Sequence, residues 1–428
     1  MKIKRINTAT GDLQAFLLAG QVDMGQYEAG VLEIAREVKN QGNQGIFSFT
    51  EKYDGASINE DNFLVSEKEI EEAWDLVDDD YVFALRKAID NIKSFHSKQL
   101  RNSWMEPDAK GNILGQLHRP LQRVGIYVPG GTAAYPSSVL MNAIPAQVAG
   151  VEEIVMVSPP DRMGKMNPYA LVAASELGLT EIYKMGGAQA IFGLAWGTQT
   201  IKKVDLISGP GNIYVTIAKK MVYGDVNIDM LAGPSEILIV ADSKADPVYL
   251  AADMMSQAEH DVLARSILVT DDADLLDKVE KEIDRQIVDL SRREIIEKAL
   301  NDFGAFILVE DINEACAVAN QVAPEHLELM VDKPFEILSK IRNAGAIFMG
   351  KNTPEPVGDY LAGPNHILPT GGTARFYSPV TIDTFMKTSS IIYYSQAGME
   401  EDADDIIKLA QVEGLTAHAN CLQVRKGS

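Results

Sequence analysis

The 428-residue sequence is poor in several features that mark particular classes of protein. It has only two cysteines, Cys316 and Cys421, which provide neither a disulfide framework nor a cysteine-based zinc site. No stretch approaches the roughly 18 uninterrupted apolar residues of a transmembrane helix, and the first residues lack the apolar core of a signal peptide. The sequence therefore predicts a cytoplasmic protein that does not associate with membranes.

Basic residues are scarce relative to acidic ones. There are 39 Lys+Arg against 61 Asp+Glu, a formal net charge of −22. Binding to a nucleic-acid backbone or to an anionic membrane surface requires clustered Lys and Arg, so the charge argues against both kinds of partner. The surplus acid is interpreted as a solvated surface.

From about Val124 onward, short β-rich runs alternate with helical runs. The predicted strands cover residues 123–128, 153–157, 182–185, 204–207, 237–240, 266–269, 305–309 and 346–349. This alternation predicts an α/β fold with mostly parallel sheets covered on both faces, and the number of units favours two α/β domains over one. Residues 1 to about 110 are predicted to be mainly helical, with one uninterrupted helical segment over 67–96, and 399–412 forms an acidic helical tail.

Three glycine-rich turns follow predicted strands, at Pro129–Thr132, Gly186–Gln189 and Gly209–Asn212. In parallel α/β proteins ligands bind beyond the carboxyl ends of the strands, where glycine lets backbone N–H groups approach a phosphate. None of the turns matches G-x-G-x-x-G. As a set they indicate a nucleotide or small-ligand cleft, and the alternative is that each is an ordinary turn.

Four of the six histidines lie after residue 255: His260, His326, His366 and His418. Gln257 and His260 are three residues apart, which places both on one face of a helix. An imidazole and an amide oxygen suit Zn²⁺ when a carboxylate and a further histidine complete the shell, with Asp359 and His418 as candidates. The alternative for each histidine alone is an ordinary core or surface position.

Glu325 and His326 follow a proline, so a tight turn is expected there. Two adjacent titratable groups can divide base work between them, the imidazole accepting a proton near neutral pH and the carboxylate activating water. The alternative is a solvated pair on a turn.

At these residues the sequence resembles the histidinol dehydrogenase family. The motifs that carry the resemblance occur in the family's order: GIYVPGGTAAYPSSVLMNAIPAQVAGV (125–151), GGAQAI (186–191), SGPGN (208–212), DMLAGPSEILIVAD (229–242), SQAEHD (256–261), APEHLEL (323–329), GDYLAGPNHILPT (358–370) and EGLTAHA (413–419). The first hundred residues are less diagnostic.

The resemblance implies an NAD-dependent four-electron oxidation of L-histidinol to L-histidine through enzyme-held histidinal. It also implies one zinc ion per subunit, two incomplete Rossmann-like domains with small terminal segments, and an intertwined homodimer. The corresponding boundaries are 1–24 for an N-terminal segment, 25–125 with 237–380 for the first domain, 126–236 for the NAD-side domain, and 381–428 for a dimerisation tail.

The resemblance also assigns roles residue by residue. Gln257, His260, Asp359 and His418 match the family's zinc ligands, which also hold the substrate, and His418 would act in the partner's site. His326 matches the general base, which also contacts substrate, and Glu325 the residue that activates water. Further substrate contacts match Ser235, His366 and Glu413. NAD contacts match Tyr127, Gln189 and Asn212.

Two other functions remain open from the sequence. One is a zinc- and NAD-dependent relative that oxidises a different alcohol, although Glu413 and His366 favour a cationic substrate. The other is a non-catalytic metal- or nucleotide-binding regulator, against which the Glu325–His326 pair argues.

Overall fold

A computed structural model describes residues 2–11, 13, 16, 24–130 and 135–426 of the chain. The chain divides into two compact units, a larger one comprising 1–99 and 122–385 and a smaller one comprising 100–121 and 386–428. The four-part division predicted from the sequence stays a prediction.

The described residues contain short strands and mostly short helices. The strands are β1 (Lys4–Asn7), β2 (Trp104–Pro107), β3 (Ile113–Pro120), β4 (Arg123–Tyr127), β5 (Glu153–Ser158), β6 (Glu181–Lys184), β7 (Leu206–Ser208), β8 (Asn227–Ile228), β9 (Glu236–Ala241), β10 (Arg265–Thr270), β11 (Ala305–Leu308), β12 (His326–Met330), β13 (Ala346–Met349) and β14 (Met386–Tyr393). The helices are α1 (Gly25–Gln41), α2 (Asn43–Asp54), α3 (Glu67–Trp74), α4 (Asp79–Ser97), α5 (Pro136–Ala149), α6 (Pro168–Glu176), α7 (Gly187–Trp196), α8 (Ile213–Val222), α9 (Pro247–Ala258), α10 (Ala273–Gln286), α11 (Arg293–Phe303), α12 (Ile312–Val322), α13 (Pro334–Ile337), α14 (Glu355–Tyr360), α15 (Gln396–Val412) and α16 (Thr416–Gln423).

The larger unit is built on two parallel sheets. The six-stranded sheet has the order β1-β11-β10-β9-β12-β13, and the five-stranded sheet has the order β6-β5-β4-β7-β8. Every pairing within these two sheets is parallel. The α/β fold with mostly parallel sheets is therefore confirmed.

Both faces of the six-stranded sheet are covered by apolar packing. On β9, Ile237 and Ile239 pack with residues of α9, α10 and α11, while Leu238 and Val240 pack with residues of α12. All six residues of β9 are buried, as expected for a central strand of a parallel sheet. This continuous burial is why the strand appears in the sequence as an uninterrupted apolar run.

The helix boundaries follow ordinary capping chemistry. Pro136 is the first residue of α5 and Gly150 ends that helix with φ of +92°. The single helix predicted over 67–96 is wrong, because it is split into α3 and α4. Asp78 accepts a hydrogen bond from Tyr81 N at 2.7 Å and so starts the second helix.

The prediction that residues 1 to about 110 are mainly helical is also wrong in part. Lys4–Asn7 is a strand that pairs with β11 at the edge of the six-stranded sheet. β2 and β3 in the smaller unit were not expected either. Edge strands and strands exposed on one face lack the continuous apolar run by which the other strands were recognised.

The smaller unit is an antiparallel sheet with two helices. β14, β3 and β2 are neighbours in that order, and α15 and α16 follow β14. Ser395 starts α15 by accepting from Gly398 N at 3.0 Å, which confirms the helical tail. Within the described ranges, no helix combines the length and the apolar character needed to cross a membrane.

One short connection joins the two parallel sheets. β8 ends at the carboxyl edge of the five-stranded sheet, and residues 229–235 lead from there to the start of β9 at the amino edge of the six-stranded sheet. Gly233 N in this connection donates to Thr370 Oγ1, and the next residue, Gly371, donates its N–H to the Glu236 side chain at the start of β9. The seven residues of the connection limit the distance between the two edges.

Candidate active site at the amino edge of the six-stranded sheet

His326 is the first residue of β12, where it is paired with Ile237 of β9 and Ala346 of β13. The tight turn predicted at Glu325 and His326 is wrong for His326, which is a strand residue, whereas Glu325 lies at a bend of the chain. The turn comes earlier, at Ala323, which has φ of +51° and is the only non-glycine residue with positive φ in the described part of the chain. Pro324 follows, and the chain is extended by the time it reaches His326.

The ring of His326 has a defined tautomer. Its Nδ1 lies 3.1 Å from the carbonyl O of Glu236, and a carbonyl only accepts, so Nδ1 carries the proton. Nε2 is then an acceptor, and it is buried without a hydrogen-bond partner. Burial lowers the pKa of His326 to about 3. The ring is therefore neutral at ordinary working pH, with Nε2 as its open acceptor atom.

Glu325 is held beside this ring. Its Oε2 accepts from Glu236 N at 2.9 Å and lies 3.7 Å from His326 Nδ1. Burial raises the pKa of Glu325 well above its usual range. The backbone of Glu236 thus positions both residues, because its N–H donates to Glu325 and its C=O accepts from His326. The side chain of Glu236 in turn accepts from Gly371 N at 3.0 Å.

The free Nε2 of His326 faces a group of candidate metal ligands. It lies 3.8 Å from Asp359 Oδ1 and 4.0 Å from Glu355 Oε1, and His260 Nε2 lies 4.0 Å from the same Glu355 oxygen. Ligand atoms of His260, Glu355 and Asp359 all lie within 4.8 Å of one another. We call these three residues the ligand cluster.

The electrostatics of the ligand cluster suit a bound cation. Burial and the proximity of Asp359 raise the pKa of Glu355 to about 8, and burial raises the pKa of Asp359 to about 6. Glu355 Oε1 and Asp359 Oδ1 are both buried without a hydrogen-bond partner. A divalent cation would supply the missing partner and favour the ionised carboxylates, so the donor set fits a zinc ion.

Gln257 lies on the chain next to His260 of the ligand cluster, and Ser235 lies next to Glu236. Gln257 is in the last turn of α9, and His260 N lies 3.3 Å from its carbonyl O, so the chain still turns between them. Both side-chain amide atoms of Gln257 are buried without a hydrogen-bond partner, and a metal ion would supply a partner for its Oε1. Ser235 is half-buried and directly precedes Glu236.

His366 is tied to the ligand cluster through the backbone. Its Nδ1 lies 3.1 Å from the carbonyl O of Asp359, which assigns the proton to Nδ1 and leaves Nε2 as an acceptor. Burial lowers the pKa of His366 to about 4. It is thus a second neutral imidazole at this end of the sheet.

Glu413 and His418 belong to the smaller unit. Glu413 follows the last residue of α15, His418 is in the first turn of α16, and both side chains are exposed. They line one surface groove together with Leu409, Leu415 and Cys421. The structure therefore brings these two residues together within their own unit.

The residues predicted to contact NAD lie at the carboxyl edge of the five-stranded sheet. Tyr127 ends β4, and its hydroxyl accepts from Gly187 N at 3.1 Å. Gln189 is buried in the first turn of α7. Asn212 is exposed and caps α8 by accepting from Tyr214 N at 3.0 Å, a structural role that any ligand contact would share.

The glycine turns permit close backbone approach at this edge. A Cβ on Gly209 would lie 2.1 Å from the carbonyl O of Tyr127, and the residue has φ of +125°, so only glycine fits. A Cβ on Gly186 would lie 2.5 Å from Pro159. Gly131 and Thr132 of the first predicted turn lie outside the described residues.

Sequence reasoning missed Glu355 and Glu236. Glu355 lies four residues before Asp359 on α14, so the helical spacing of two carboxylates was a usable signal. Glu236 acts mainly through its backbone, which leaves no signature in the residue type. Neither cysteine takes part: Cys316 packs in the apolar core and Cys421 is exposed in the smaller unit.

These features define a class of protein. A buried, neutral imidazole with one free nitrogen, an adjacent carboxyl group and a candidate metal site are typical of an α/β enzyme that moves protons. The glycine turns on the neighbouring sheet edge are typical of proteins that bind a phosphate-containing ligand.

Comparison with known proteins identifies the family. The sequence matches the histidinol dehydrogenase family over residues 19–426. It is 56% identical over 423 residues to the histidinol dehydrogenase of Heliobacterium mobile, covering 99% of each chain, and 50% identical over 428 residues to that of Bacillus subtilis (strain 168), covering 100% of this chain and 99% of the relative. The crystal structure of histidinol dehydrogenase from Elizabethkingia anophelis superposes with a TM-score of 0.93 at 37% identity, covering 99% of this chain and 98% of that chain. The chain belongs to the histidinol dehydrogenase family and is an oxidoreductase.

Proposed function

We propose that the protein oxidises L-histidinol to L-histidine through bound L-histidinal, reducing two NAD⁺ in turn, as the last step of histidine biosynthesis. The observation that carries the proposal is the unpartnered Nε2 of His326, which faces the ligand cluster at 3.8 to 4.0 Å. A proton acceptor so placed can serve a substrate hydroxyl held at the cluster.

Zinc would be held by Gln257, His260 and Asp359, with Glu355 beside them and one ion per subunit. When bound, the ion would hold the substrate and polarise the oxygen on the carbon that is oxidised. The residues keep their own tasks: the carbonyl O of Glu236 holds the His326 ring in the tautomer whose Nε2 accepts. The hydride acceptor is NAD.

His326 is the general base of both oxidation steps in this proposal. In the first step Nε2 takes the proton from the hydroxyl oxygen of histidinol while the carbon that bears this hydroxyl gives a hydride to NAD⁺, which leaves the aldehyde. In the second step the hydrate of histidinal loses a proton and a hydride in the same way, giving the carboxylic acid. The same base therefore serves twice.

Glu325 activates the water that forms the hydrate. Its pKa is raised by burial, and the N–H of Glu236 holds the carboxyl group in place. A carboxylate so destabilised is a stronger base than one in water, which suits the removal of a proton from water. Glu325 is needed only after the aldehyde has formed.

Substrate recognition falls to Ser235, His366 and Glu413, together with the zinc ligands and His326. L-Histidinol carries an ammonium group, so the Glu413 carboxylate suits it. The neutral His366, held by the Asp359 carbonyl, presents an acceptor nitrogen to a donor of the substrate. Tyr127, Gln189 and Asn212 are the proposed NAD contacts at the carboxyl edge of the five-stranded sheet.

We propose a cytoplasmic homodimer in which His418 and Glu413 of one copy complete the site of the other. Both side chains are exposed in the smaller unit and so are available to a second copy. Mixing His418→Ala with His326→Ala protein tests this arrangement, because mixed dimers would then contain one intact site. Unrestored activity in the mixture would contradict sharing.

A panel of alcohols tests the substrate. Among the alcohols tested, L-histidinol should give zinc-loaded protein the highest kcat/KM for NADH formation. Turnover of another alcohol without turnover of L-histidinol would instead support a family relative with different specificity. Absence of NADH with every alcohol would favour a non-catalytic binding protein.

A further inference from the structure

Helix α5 contains a proline in its interior. Pro145 has no N–H, so the carbonyl O of Met141, four residues earlier, lacks the donor that a regular helix would provide. Met141 is completely buried. A buried carbonyl without a partner is unfavourable, so another donor is expected.

The missing donor comes from a distant part of the chain. Asn365 Nδ2 donates to Met141 O at 2.6 Å, and Asn365 Oδ1 accepts from Ile367 N at 2.9 Å. Asn365 is itself buried, and both ends of its amide are engaged. The bond joins a helix of the five-stranded sheet to the loop that carries His366.

Asn142, which follows Met141 on α5, is joined to a glycine turn. Asn142 Oδ1 accepts from Ser208 Oγ at 2.6 Å, and Ser208 directly precedes Gly209. Adjacent residues of α5 thus connect to two places, the turn on the proposed cofactor side and the loop on the proposed substrate side.

We infer that Asn365 is a positioning residue. It holds the loop that carries His366 against the carbonyl O of Met141, which Pro145 leaves without a helical donor. His366 is then tethered from both sides, by its neighbour Asn365 and by the bond from its Nδ1 to the carbonyl O of Asp359. The inference rests on the proposed function of His366 as a substrate contact. The structural part of the inference, in which the Asn365 side chain replaces the missing helical N–H donor, does not depend on that proposed function.

A double-mutant cycle between Pro145 and Asn365 tests both halves. The full-length, zinc-loaded protein is prepared as wild type, Asn365→Ala, Pro145→Ala and the double variant. Pro145→Ala restores an N–H that can bond to Met141 O within the helix. Unfolding midpoints and the KM values for L-histidinol and NAD⁺ are measured for all four proteins.

Asn365→Ala should lower the unfolding midpoint, because it leaves Met141 O buried and unpaired. It should also lower kcat/KM for L-histidinol by about ten- to a hundredfold, mainly through KM, with KM for NAD⁺ unchanged. In the Pro145→Ala background the stability loss should largely disappear, because the helix now satisfies the carbonyl, whereas the kinetic loss should persist.

Other outcomes overturn the inference. If Pro145→Ala restores the KM for L-histidinol as well as stability, Asn365 only satisfies a carbonyl. An unchanged KM in Asn365→Ala also contradicts positioning. Additive effects of the two substitutions on stability would show that the residues are not coupled. If Asn365→Ala does not fold, Asn365→Asp replaces the donor and keeps the acceptor for Ile367 N.

Gln147→Ala is the matched control. Gln147 lies on the same helix, and its Nε2 donates to the carbonyl O of Leu177 at 2.6 Å. It should lower stability and leave the KM for L-histidinol unchanged. If wild-type protein forms no NADH from L-histidinol, the proposed function has failed, and the stability cycle alone then decides whether Asn365 replaces the helical donor.

Discussion

The two parallel sheets of the larger unit have opposite chemistry at their carboxyl edges. Beyond the five-stranded sheet lie glycine turns, and Gly209 brings its backbone against Tyr127. Beyond the six-stranded sheet lie aspartates: Asp242 follows β9, Asp271 follows β10 and Asp311 lies near the end of β11. The pKa of Asp271 is raised, first by burial and then by the charges of neighbouring aspartates that include Asp242 and Asp311.

The aspartates at that edge bind the chain's own backbone. Asp242 accepts from Lys244 N at 2.9 Å and from Asp332 N at 2.7 Å, and Asp311 caps α12 through Glu314 N at 2.8 Å. An edge of this kind repels an anionic ligand, whereas a glycine edge admits one. The candidate active site instead lies at the opposite, amino edge of the six-stranded sheet. Parallel strand order alone therefore does not locate a ligand site.

The largest effect is expected from the amino edge of the six-stranded sheet. His326→Gln should lower kcat for both oxidation steps by about 10² to 10⁴, because the proton acceptor is lost. Glu325→Gln should slow histidinal oxidation far more than histidinol oxidation. Stopped-flow NADH formation with each substrate measures the two effects.

Asp332→Asn, at the carboxyl edge of the same sheet, is the control and should change kcat by less than about twofold. Comparable losses in Asp332→Asn and His326→Gln would contradict the assignment of chemistry to one edge. Equal effects of Glu325→Gln on both substrates would contradict the division of roles between Glu325 and His326.

Metal binding should be the next most sensitive property. Glu355→Gln should weaken zinc binding by about ten- to a hundredfold, because a carboxylate within reach of His260 and Asp359 is neutralised. Competition with a chromogenic chelator measures the dissociation constant. Glu259→Gln, close to His260 in sequence but outside the ligand cluster, is the control, and equal losses in both variants would exclude a specific role for Glu355.

A glycine substitution tests the five-stranded edge. Gly209→Ala should raise KM for NAD⁺ and lower the free energy of unfolding by about 1 to 3 kcal/mol, because it combines strained φ with a clash against Tyr127. Gly224→Ala has φ of +106° but no atom within 4 Å of the added Cβ, so it isolates the backbone strain. Identical effects of the two substitutions would show that close approach at Gly209 is unimportant.

The smallest effect concerns a buried carboxyl group beneath the site. Glu328 is completely buried on β12, its Oε1 accepts from Glu355 N at 2.9 Å, and burial first and Asp253 second raise its pKa well above the usual range. The folded protein thus keeps a proton that the unfolded chain releases above about pH 4.3, so stability falls as pH rises beyond that value.

Glu328→Gln should therefore reduce the loss of stability between pH 5.5 and pH 8. Urea unfolding of chelator-treated protein at the two pH values measures the difference. Glu336→Gln, whose side chain is 67% exposed, should leave the pH dependence unchanged. A wild-type pH dependence in Glu328→Gln would contradict a protonated Glu328.

The contrast between the sheets also explains what the sequence could predict. Central strands such as β9 were recognisable because burial on both faces makes them continuously apolar. β12 was missed because its first residue is His326 and Glu325 and Pro324 precede it, polar and helix-breaking residues that resemble a turn. The resemblance named the individual site residues, but their meeting depends on tertiary packing.

The ligand cluster shows the same limit of prediction from the sequence. His260 and Asp359 are 99 positions apart, and only the pairing of strands and the placement of α14 bring them within 4.8 Å of Glu355. No periodicity encodes that distance. Glu236 is a further case, since its peptide groups rather than its side chain orient Glu325 and His326.

The stoichiometry of NADH formation tests the central claim most directly. Zinc-loaded protein is given a limiting amount of L-histidinol with excess NAD⁺, and NADH formed is counted per histidinol consumed. Two oxidations by one base, with Glu325 supplying water activation between them, predict a ratio near two. A ratio of one, with histidinal accumulating in the wild-type protein, would contradict the account.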